Sequence, residues 1–313
     1  ALGNARHGEV GVYIDAIVNH TATDDPGGGT YAHLDDPEYY HHPHDGGRTK
    51  MQLFDLWDLD QTHEMVSRHL RAYVEKIAQM GCAGVRWDAA KHVPMWFFNE
   101  YLNEWVDQHD LFRVGEVFDG DVDFLEAYVD TGMNCFDYPL FFTMHDALRE
   151  GGDMRWLQGV IEHGDCLLGR DSYHASTFVA NHDEGPPQLQ RLAYAFILTA
   201  PGYPIVYSNH ANEEGVDYAA PWLQNLVWIK RTLASGEYYI RHADRDLFVH
   251  ERHENLLTGI NKADAPRTEW VYTGFEDETL VDYTGQLDDI TTAEDGWVEL
   301  TVPKNGWVCY APE

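Results

Sequence analysis

The sequence predicts an α/β chain in three parts: a parallel sheet with crossover helices, a loop-rich insertion after the first strand, and a C-terminal antiparallel β module. Three observations carry this reading. Short β-branched and aromatic runs alternate with helical stretches as far as Ala234. The helical period fails over 21–60, which is rich in Gly, Asp and His. After Gly236 the helical patterns stop and six short strand-like runs follow.

The elements follow in order. Val10–Val18 reads as a strand, Glu64–Met80 as an amphipathic helix, Gly81–Asp88 as a strand, Trp96–His109 as a helix and Leu111–Glu116 as a strand. Next come a helix over Val122–Thr131, a strand Met133–Asp137, helices through Met144–His163, a strand Ala175–Ala180, a helix Gln188–Thr199, a strand Pro204–Ser208 and a helix Trp222–Ala234. The last part, "DLFVHER", "NLLTGINKA", "TEWVYTG", "ETLVDYTG", "WVELTVP" and "GWVCYAP", reads as short antiparallel strands. The expected domains are 1–235, a β/α domain carrying the insertion 21–60, and 236–313, a β-sandwich.

Composition narrows the partners. The 313 residues carry 21 basic and 53 acidic side chains, a net charge of −32, so a phosphate backbone or an anionic membrane surface is repelled. Only six of the basic residues are lysines: Lys50, Lys76, Lys91, Lys230, Lys262 and Lys304. An acidic, lysine-poor surface suits a salt-rich medium, because molar salt shortens the Debye length to about 3 Å and screens self-repulsion. Cys82, Cys135, Cys166 and Cys309 form no CxxC pair and read as buried thiols, with one bridge such as Cys135 to Cys166 left open. No apolar run reaches membrane-spanning length. The stretch contains neither an initiator Met nor a secretory leader, so it is expected to be part of a longer chain.

Polar residues gather where the strands end. In a β/α barrel the active site lies at the C-terminal ends of the strands, and here those ends carry Asp15, Asn19 and His20; Arg86, Asp88, Lys91 and His92; Glu116; and Asn181, His182 and Asp183. Period-2 alternation puts Arg86 with Asp88 on one face, and Asn181 with Asp183 on one face. Singly, each is an ordinary cap or turn former. Together, three carboxylates on three strands are costly to bury unless their repulsion and their arginine are used. Glycoside cleavage needs this set: Asp88, kept ionised by Arg86, attacks an anomeric carbon, while Glu116, raised by burial and like charge, protonates the leaving oxygen.

Four ordered segments then carry a resemblance. "DAIVNH" (Asp15–His20), "GVRWDAAKH" (Gly84–His92), "GEVF" (Gly115–Phe118) and "FVANHD" (Phe178–Asp183) resemble the motifs of the α-amylase family, glycoside hydrolase family 13. "LWDLD" (Leu56–Asp60) is similar to the family's LPDLD box and "GYPIVY" (Gly202–Tyr207) to its last barrel strand, while "AYAFILT" and "LQNLVWI" look most like archaeal, salt-loving members. The resemblance implies a (β/α)8 TIM-type barrel, of which this chain would supply strands 3 to 8 and lack the first two. It implies retaining endo-hydrolysis of α-1,4-glucosidic bonds in starch-like polysaccharides, by a secreted monomer.

Position by position, the resemblance implies Asp88 as nucleophile, Glu116 as acid/base and Asp183 as the carboxylate that grips sugar hydroxyls in the transition state. His20, Arg86, Lys91, His92 and His182 would contact or orient substrate, and Asp15 would be structural. A structural Ca²⁺ is implied between barrel and insertion, on Asn19, Asp58 and the backbone carbonyl of His92, all hard oxygens. Trp57 stands where the family has proline, so Asp55 is a reserve ligand. His41, His42 and His44 form a further cluster that suits a solvated turn or a metal. Trp57, Trp96 and Phe118 are candidate sugar-stacking rings, and Trp87 is a core residue. Two other readings are another α-glucan hydrolase or transferase of the family, and a non-catalytic glucan-binding protein.

Overall fold

A computed structural model describes residues 10–21, 34–41, 46–54, 56–208 and 215–313; His42, His44 and Asp55 lie outside them. The chain divides into two compact units, Ala1–Asp119 with Asp123–Phe136, and Gly120–Val122 with Asp137–Glu313. Each is described separately.

In the first unit the sheet strands are β1 (Tyr13–Ala16), β4 (Gly84–Trp87), β5 (Phe112–Gly115) and β6 (Asn134–Phe136), all parallel and paired in that order. Between β1 and β4, within the insertion, β2 (His20–Thr21) and β3 (Trp57–Asp58) form a short antiparallel pair. Helix α1 (Glu64–Gln79) follows the spacing of its buried residues Val66, Leu70, Val74 and Ile77, which line one face. The His63 ring accepts from Met65 N–H at its start, with Glu64 in the first turn and Lys76 in the last.

Val85 and Trp87 are fully buried on one face of β4, so Trp87 is a core residue as the alternation predicts. The helix predicted over Trp96–His109 is broken into α2 (Met95–Phe97), a π turn (Phe98–Leu102) and α3 (Asn103–Asp107). Phe98 and Leu102, at the two ends of the π turn, are both fully buried. Helix α4 (Val122–Val129) follows β5.

The second unit opens with α5 (Tyr138–Ala147), which starts six residues before the predicted Met144. The cause is Asp137: its carboxylate accepts from Leu140 N–H (3.2 Å) at the start of α5, and from Leu167 (3.2 Å) and Leu168 (2.7 Å) N–H. One side chain thus caps two helix starts, with Pro139 set in the first turn of α5. Helices α6 (Arg155–Glu162) and α7 (Leu167–Arg170) lead to the parallel pair β7 (Ala175–Phe178) and β8 (Tyr203–Ile205), which alternate with α8 (Gln190–Ile197) and α9 (Pro221–Thr232).

The C-terminal strands are all antiparallel, as predicted. They are β9 (Tyr238–Ala243), β10 (Leu247–Arg252), β11 (Leu256–Asn261), β12 (Arg267–Tyr272), β13 (Thr279–Asp282), β14 (Ile290–Thr291), β15 (Trp297–Val302) and β16 (Gly306–Ala311). One sheet runs β14-β13-β16-β11-β10-β9, and β12 pairs with β15. Leu247, Val249, Leu257, Val308 and Tyr310 of the large sheet share a core with Val271, Val298, Leu300 and Val302 of the pair, which makes a sandwich. Strand β10 is buried on both faces: Phe248 meets Phe196 of α8 at 5.7 Å between ring centroids. All four cysteines are buried and free, so the bridge left open in the sequence is absent.

His250 on β10 is fully buried, with Nε2 3.0 Å from Thr199 Oγ1. Burial, and after it the charges of Arg252 and Lys230, bring its pKa down to about 3, against about 6.5 in an unfolded chain. Between these values the unfolded chain takes up a proton that the folded chain refuses. The stabilising effect of the neutral ring is therefore complete above about pH 6.5 and is lost as pH falls toward 3. Thermal midpoints recorded across this window at fixed salt should fall with pH, and the fall should be shallower in His250→Gln; an equal slope in the variant refutes the assignment.

Candidate active site

Arg86 is the centre of the first unit's polar cluster. Strand β4 ends at Trp87, and the face opposite the core carries the Arg86 side chain, 14% exposed. Its Nη1 donates to Asp15 Oδ1 at 2.7 Å and to Asp88 Oδ1 at 2.6 Å, and its Nη2 donates to Glu116 Oε1. Burial opposes the charge, but Glu116, Asp15 and Asp88 outweigh it and raise the guanidinium's pKa above its ordinary value. The arginine that the alternation assigns to Asp88 is therefore shared with Glu116. One planar cation holds both carboxylates through different nitrogens.

The backbone after β4 is bent to serve the same cluster. Ala89 has φ 47° and ψ 36°, a left-handed conformation costly for a residue with a Cβ. That bend aims the Ala89 N–H at Glu116 Oε2, 3.0 Å away. On the partner strand a Cβ at Gly115 would meet Met133 Sδ at 2.5 Å, so any larger residue there would have to displace that side chain. Glu116 follows directly and is 7% exposed.

Around this core the other predicted residues take individual positions. His20 Nε2 lies 3.9 Å from Asp88 Oδ2. Burial lowers the His20 pKa despite Asp88 and Asp58, and burial likewise lowers that of His92. His92 Nδ1 donates to the Arg48 carbonyl at 2.9 Å. Lys91 Nζ donates to the Phe118 carbonyl at 2.5 Å and lies 5.2 Å from the Phe118 ring centroid; burial lowers its pKa, with Asp119 opposing. Trp57 is half-buried with its ring against Tyr40, and Trp96 packs edge-on against Phe97 and Tyr101. Arg48, which the sequence reading missed, sits 3.8 Å from Asp119 and 4.0 Å over the Phe124 ring.

Beside His20 lies a buried oxygen pair. The β2–β3 register sets His20 opposite Asp58, and Leu59 N–H donates to the Asn19 carbonyl at 2.8 Å. Asn19 is 0% and Asp58 1% exposed, and Oδ1 of each is buried without a hydrogen-bond partner. Buried oxygens are seldom left so. Two such atoms, one just before β2 and one on β3, suit an oxygen-seeking cation such as Ca²⁺. The other Asp58 oxygen is 2.7 Å from His41 Nδ1. Burial raises the Asp58 pKa, with His41 opposing, and the hydrogen bond to Asp58 raises that of His41. His41 is therefore tied to Asp58 rather than to a solvated turn. Among the described residues no group of three or more His, Cys, Asp or Glu side chains is placed to hold a metal ion; the predicted set has one such side chain, Asp58.

His182 and Asp183 belong to the second unit, and one expectation about them is corrected. Strand β7 ends at Phe178, so its alternation does not reach Asn181 and Asp183. Asn181 Oδ1 instead accepts from the N–H groups of Asp183 (2.9 Å) and Glu184 (2.7 Å), folding the segment into a side-chain-capped turn. Asn181 Nδ2 donates to Tyr138 Oη at 3.2 Å. His182 Nε2 is 3.4 Å from Asp183 Oδ2, with both side chains more than half exposed.

Among the described residues, six parallel β/α strands, four in one unit and two in the other, followed by an antiparallel sandwich, define the class of fold. A cyclomaltodextrin glucanotransferase with a three-domain ABC distribution has this fold: the match covers 98% of this chain and 76% of that one, with a TM-score of 0.81 at 23% identity. Residues 256–311 match the family model "Alpha-amylase C-terminal". The α-amylase of Geobacillus stearothermophilus is 31% identical over 279 residues, which cover 78% of this chain and 49% of that protein. The α-amylase of Aeromonas hydrophila is 28% identical over 277 residues, covering 79% and 59%. The chain thus spans half to three-fifths of the length of these relatives. The matches support the α-amylase family for this chain.

Replacing Arg86 by Met leaves three carboxylates facing one another without their cation. Breaking a buried ion cluster in this way costs about 3–5 kcal/mol. Urea unfolding at pH 7 should report a loss of that order, whereas a loss below about 1 kcal/mol, the worth of a surface pair, would contradict the central position given to Arg86.

Proposed function

We propose that this chain carries the catalytic centre of a retaining α-glucan hydrolase of glycoside hydrolase family 13, acting within starch-like α-1,4-linked polymers. The observation that carries the reading is the sharing of Arg86 by Asp88 and Glu116. A retaining enzyme needs two carboxyl groups only about 5–5.5 Å apart, and anchoring both on one guanidinium supports such closeness.

In this reading Asp88 attacks the anomeric carbon from one face, while Glu116, which must first take up a proton and let go of Arg86, gives that proton to the departing glycosidic oxygen. Arg86 and the Ala89 N–H orient the two carboxyl groups before substrate arrives, which lowers the reorganisation needed in the transition state. The leaving chain departs, a water enters, and Glu116, now a base, takes its proton as the water releases the sugar from Asp88. His20, kept largely neutral near pH 7 by burial, donates a hydrogen bond to the bound sugar. Lys91 and His92 border the leaving-group side, and His182 and Asp183 grip the sugar hydroxyls as charge develops. Asp15 holds Arg86 from the far side. Domain limits of 1–235 and 236–313, secretion, a salt-rich medium and a monomeric state belong to the same proposal, the last two supported by the net charge of −32.

A second reading keeps the same first step and hands the sugar on Asp88 to another sugar hydroxyl instead of water. The similarity to the glucanotransferase favours it. The product mixture distinguishes the two, since hydrolysis creates a new reducing end at each cleavage and transfer does not.

Calcium, when bound, would tie the insertion to the β/α domain through Asn19, Asp58 and the His92 carbonyl. Two measurements test these assignments. Release of reducing ends from soluble starch should fall at least about 10³-fold in Glu116→Gln; retained activity would remove Glu116 from the acid/base role. Separately, a calcium excess of a hundredfold over Kd should raise the thermal midpoint by on the order of 5 °C. Asp58→Asn should abolish that rise, and an undiminished rise in the variant would move the cation elsewhere.

A further inference from the structure

The second unit holds two basic side chains that no acid faces among the described residues. Lys230, near the end of α9, and Arg252, the last residue of β10, line one surface cavity of about 370 Å³. Ser172 and Tyr173 before β7, Tyr203 at the start of β8 and Ser235 after α9 share its wall. None of the lining residues is Asp or Glu, although acidic residues outnumber basic ones 53 to 21 in the chain.

The contacts of the two cations are with neutral groups. Arg252, 9% exposed, donates from Nε (3.1 Å) and Nη2 (2.7 Å) to the Gly236 carbonyl, and its Nη1 is buried without a hydrogen-bond partner. Lys230 Nζ donates to the Ala200 carbonyl at 2.5 Å, which leaves two of its three protons to place. The titratable groups that face them are half-buried Tyr238, whose hydroxyl is buried, and fully buried His250, and among the described residues no carboxylate acts on either cation. Burial, then the charge of Arg252, pulls the Lys230 pKa down to about 7. Buried charges are normally paired. Here two like charges share a cavity, and among the described residues no carboxylate lines it.

We propose that this cavity binds a small oxyanion, a phosphate or carboxylate group, between Lys230 and Arg252. The anion neutralises both cations and takes the lysine's remaining donors. The unpartnered Arg252 Nη1 and the hydroxyls of Ser172 and Ser235 favour several oxygens over a single spherical ion. The cavity lies where β7 and β8 begin, the opposite end of β7 from Asn181–Asp183, so the site is separate from the proposed chemistry and does not rest on it.

The chain has only six lysines, so the side-chain NMR signal of Lys230 can be assigned in lysine-labelled protein by comparison with Lys230→Gln. Inorganic phosphate, sodium acetate and sodium chloride are titrated separately at pH 7 and matched ionic strength. Phosphate or acetate should move the Lys230 signal saturably toward the ammonium form and raise its apparent pKa by at least one unit, a tenfold shift; whichever of the two binds tighter identifies the group. Arg252→Lys, with its fold checked by circular dichroism, should weaken that binding at least tenfold. An unmoved signal, an equal response to chloride, or unchanged affinity in Arg252→Lys would overturn the site.

Discussion

The Arg86 guanidinium and the three carboxylates around it, Asp15, Asp88 and Glu116, set the terms for the backbone nearby. Asp15 is exposed, but Arg86, Asp88 and Glu116 are not; charges so poorly exposed persist only when paired and hydrogen-bonded, so the parallel strands must end level enough to deliver them. The β1–β4 register pairs Asp15 with Arg86, and the β4–β5 register pairs Trp87 with Gly115, one residue before Glu116. The left-handed turn at Ala89 is strain accepted for a second donor to Glu116. The two carboxylates proposed to do the chemistry thus arrive already oriented, with their repulsion offset by the cation between them.

Much of this arrangement was legible in the sequence. Alternation of Val85 and Trp87 with Arg86 gave strand β4 and its two faces, and the spacing of Val66, Leu70, Val74 and Ile77 gave α1. Polar residues at strand ends pointed to Arg86, Asp88 and Glu116 because a buried sheet has no other reason to carry them. Strand β9 was missed because "YYIRHA" lacks clean alternation, and the early start of α5 was missed although Asp137 and Pro139 announce it. The Ala89 N–H leaves no trace in sequence, since a left-handed alanine looks like any other. Arg48 acts through its carbonyl on His92, which any residue could supply. At Asn181 the strand period was carried three residues too far, into a turn whose Asx signature was present.

The second unit follows a different logic. Its sandwich is built on an apolar cluster, while His250, Arg252 and Lys230 around β10 carry a desolvation penalty with few partners to offset it. That region gains stability from staying neutral or from borrowing a counter-charge. The first unit solves the opposite problem, an excess of carboxylates, with one arginine. In a chain of net charge −32, both are answers to where scarce positive charge is placed.

The central claim is that Arg86 presents Asp88 for attack while Glu116 serves the leaving group. It is tested most directly by trapping the covalent intermediate with a fluorinated α-glucosyl fluoride and locating the sugar by mass spectrometry of the peptides. The account predicts a glycosyl adduct on Asp88, within "GVRWDAAKH". An adduct on Glu116, Asp183 or any other carboxylate would contradict it.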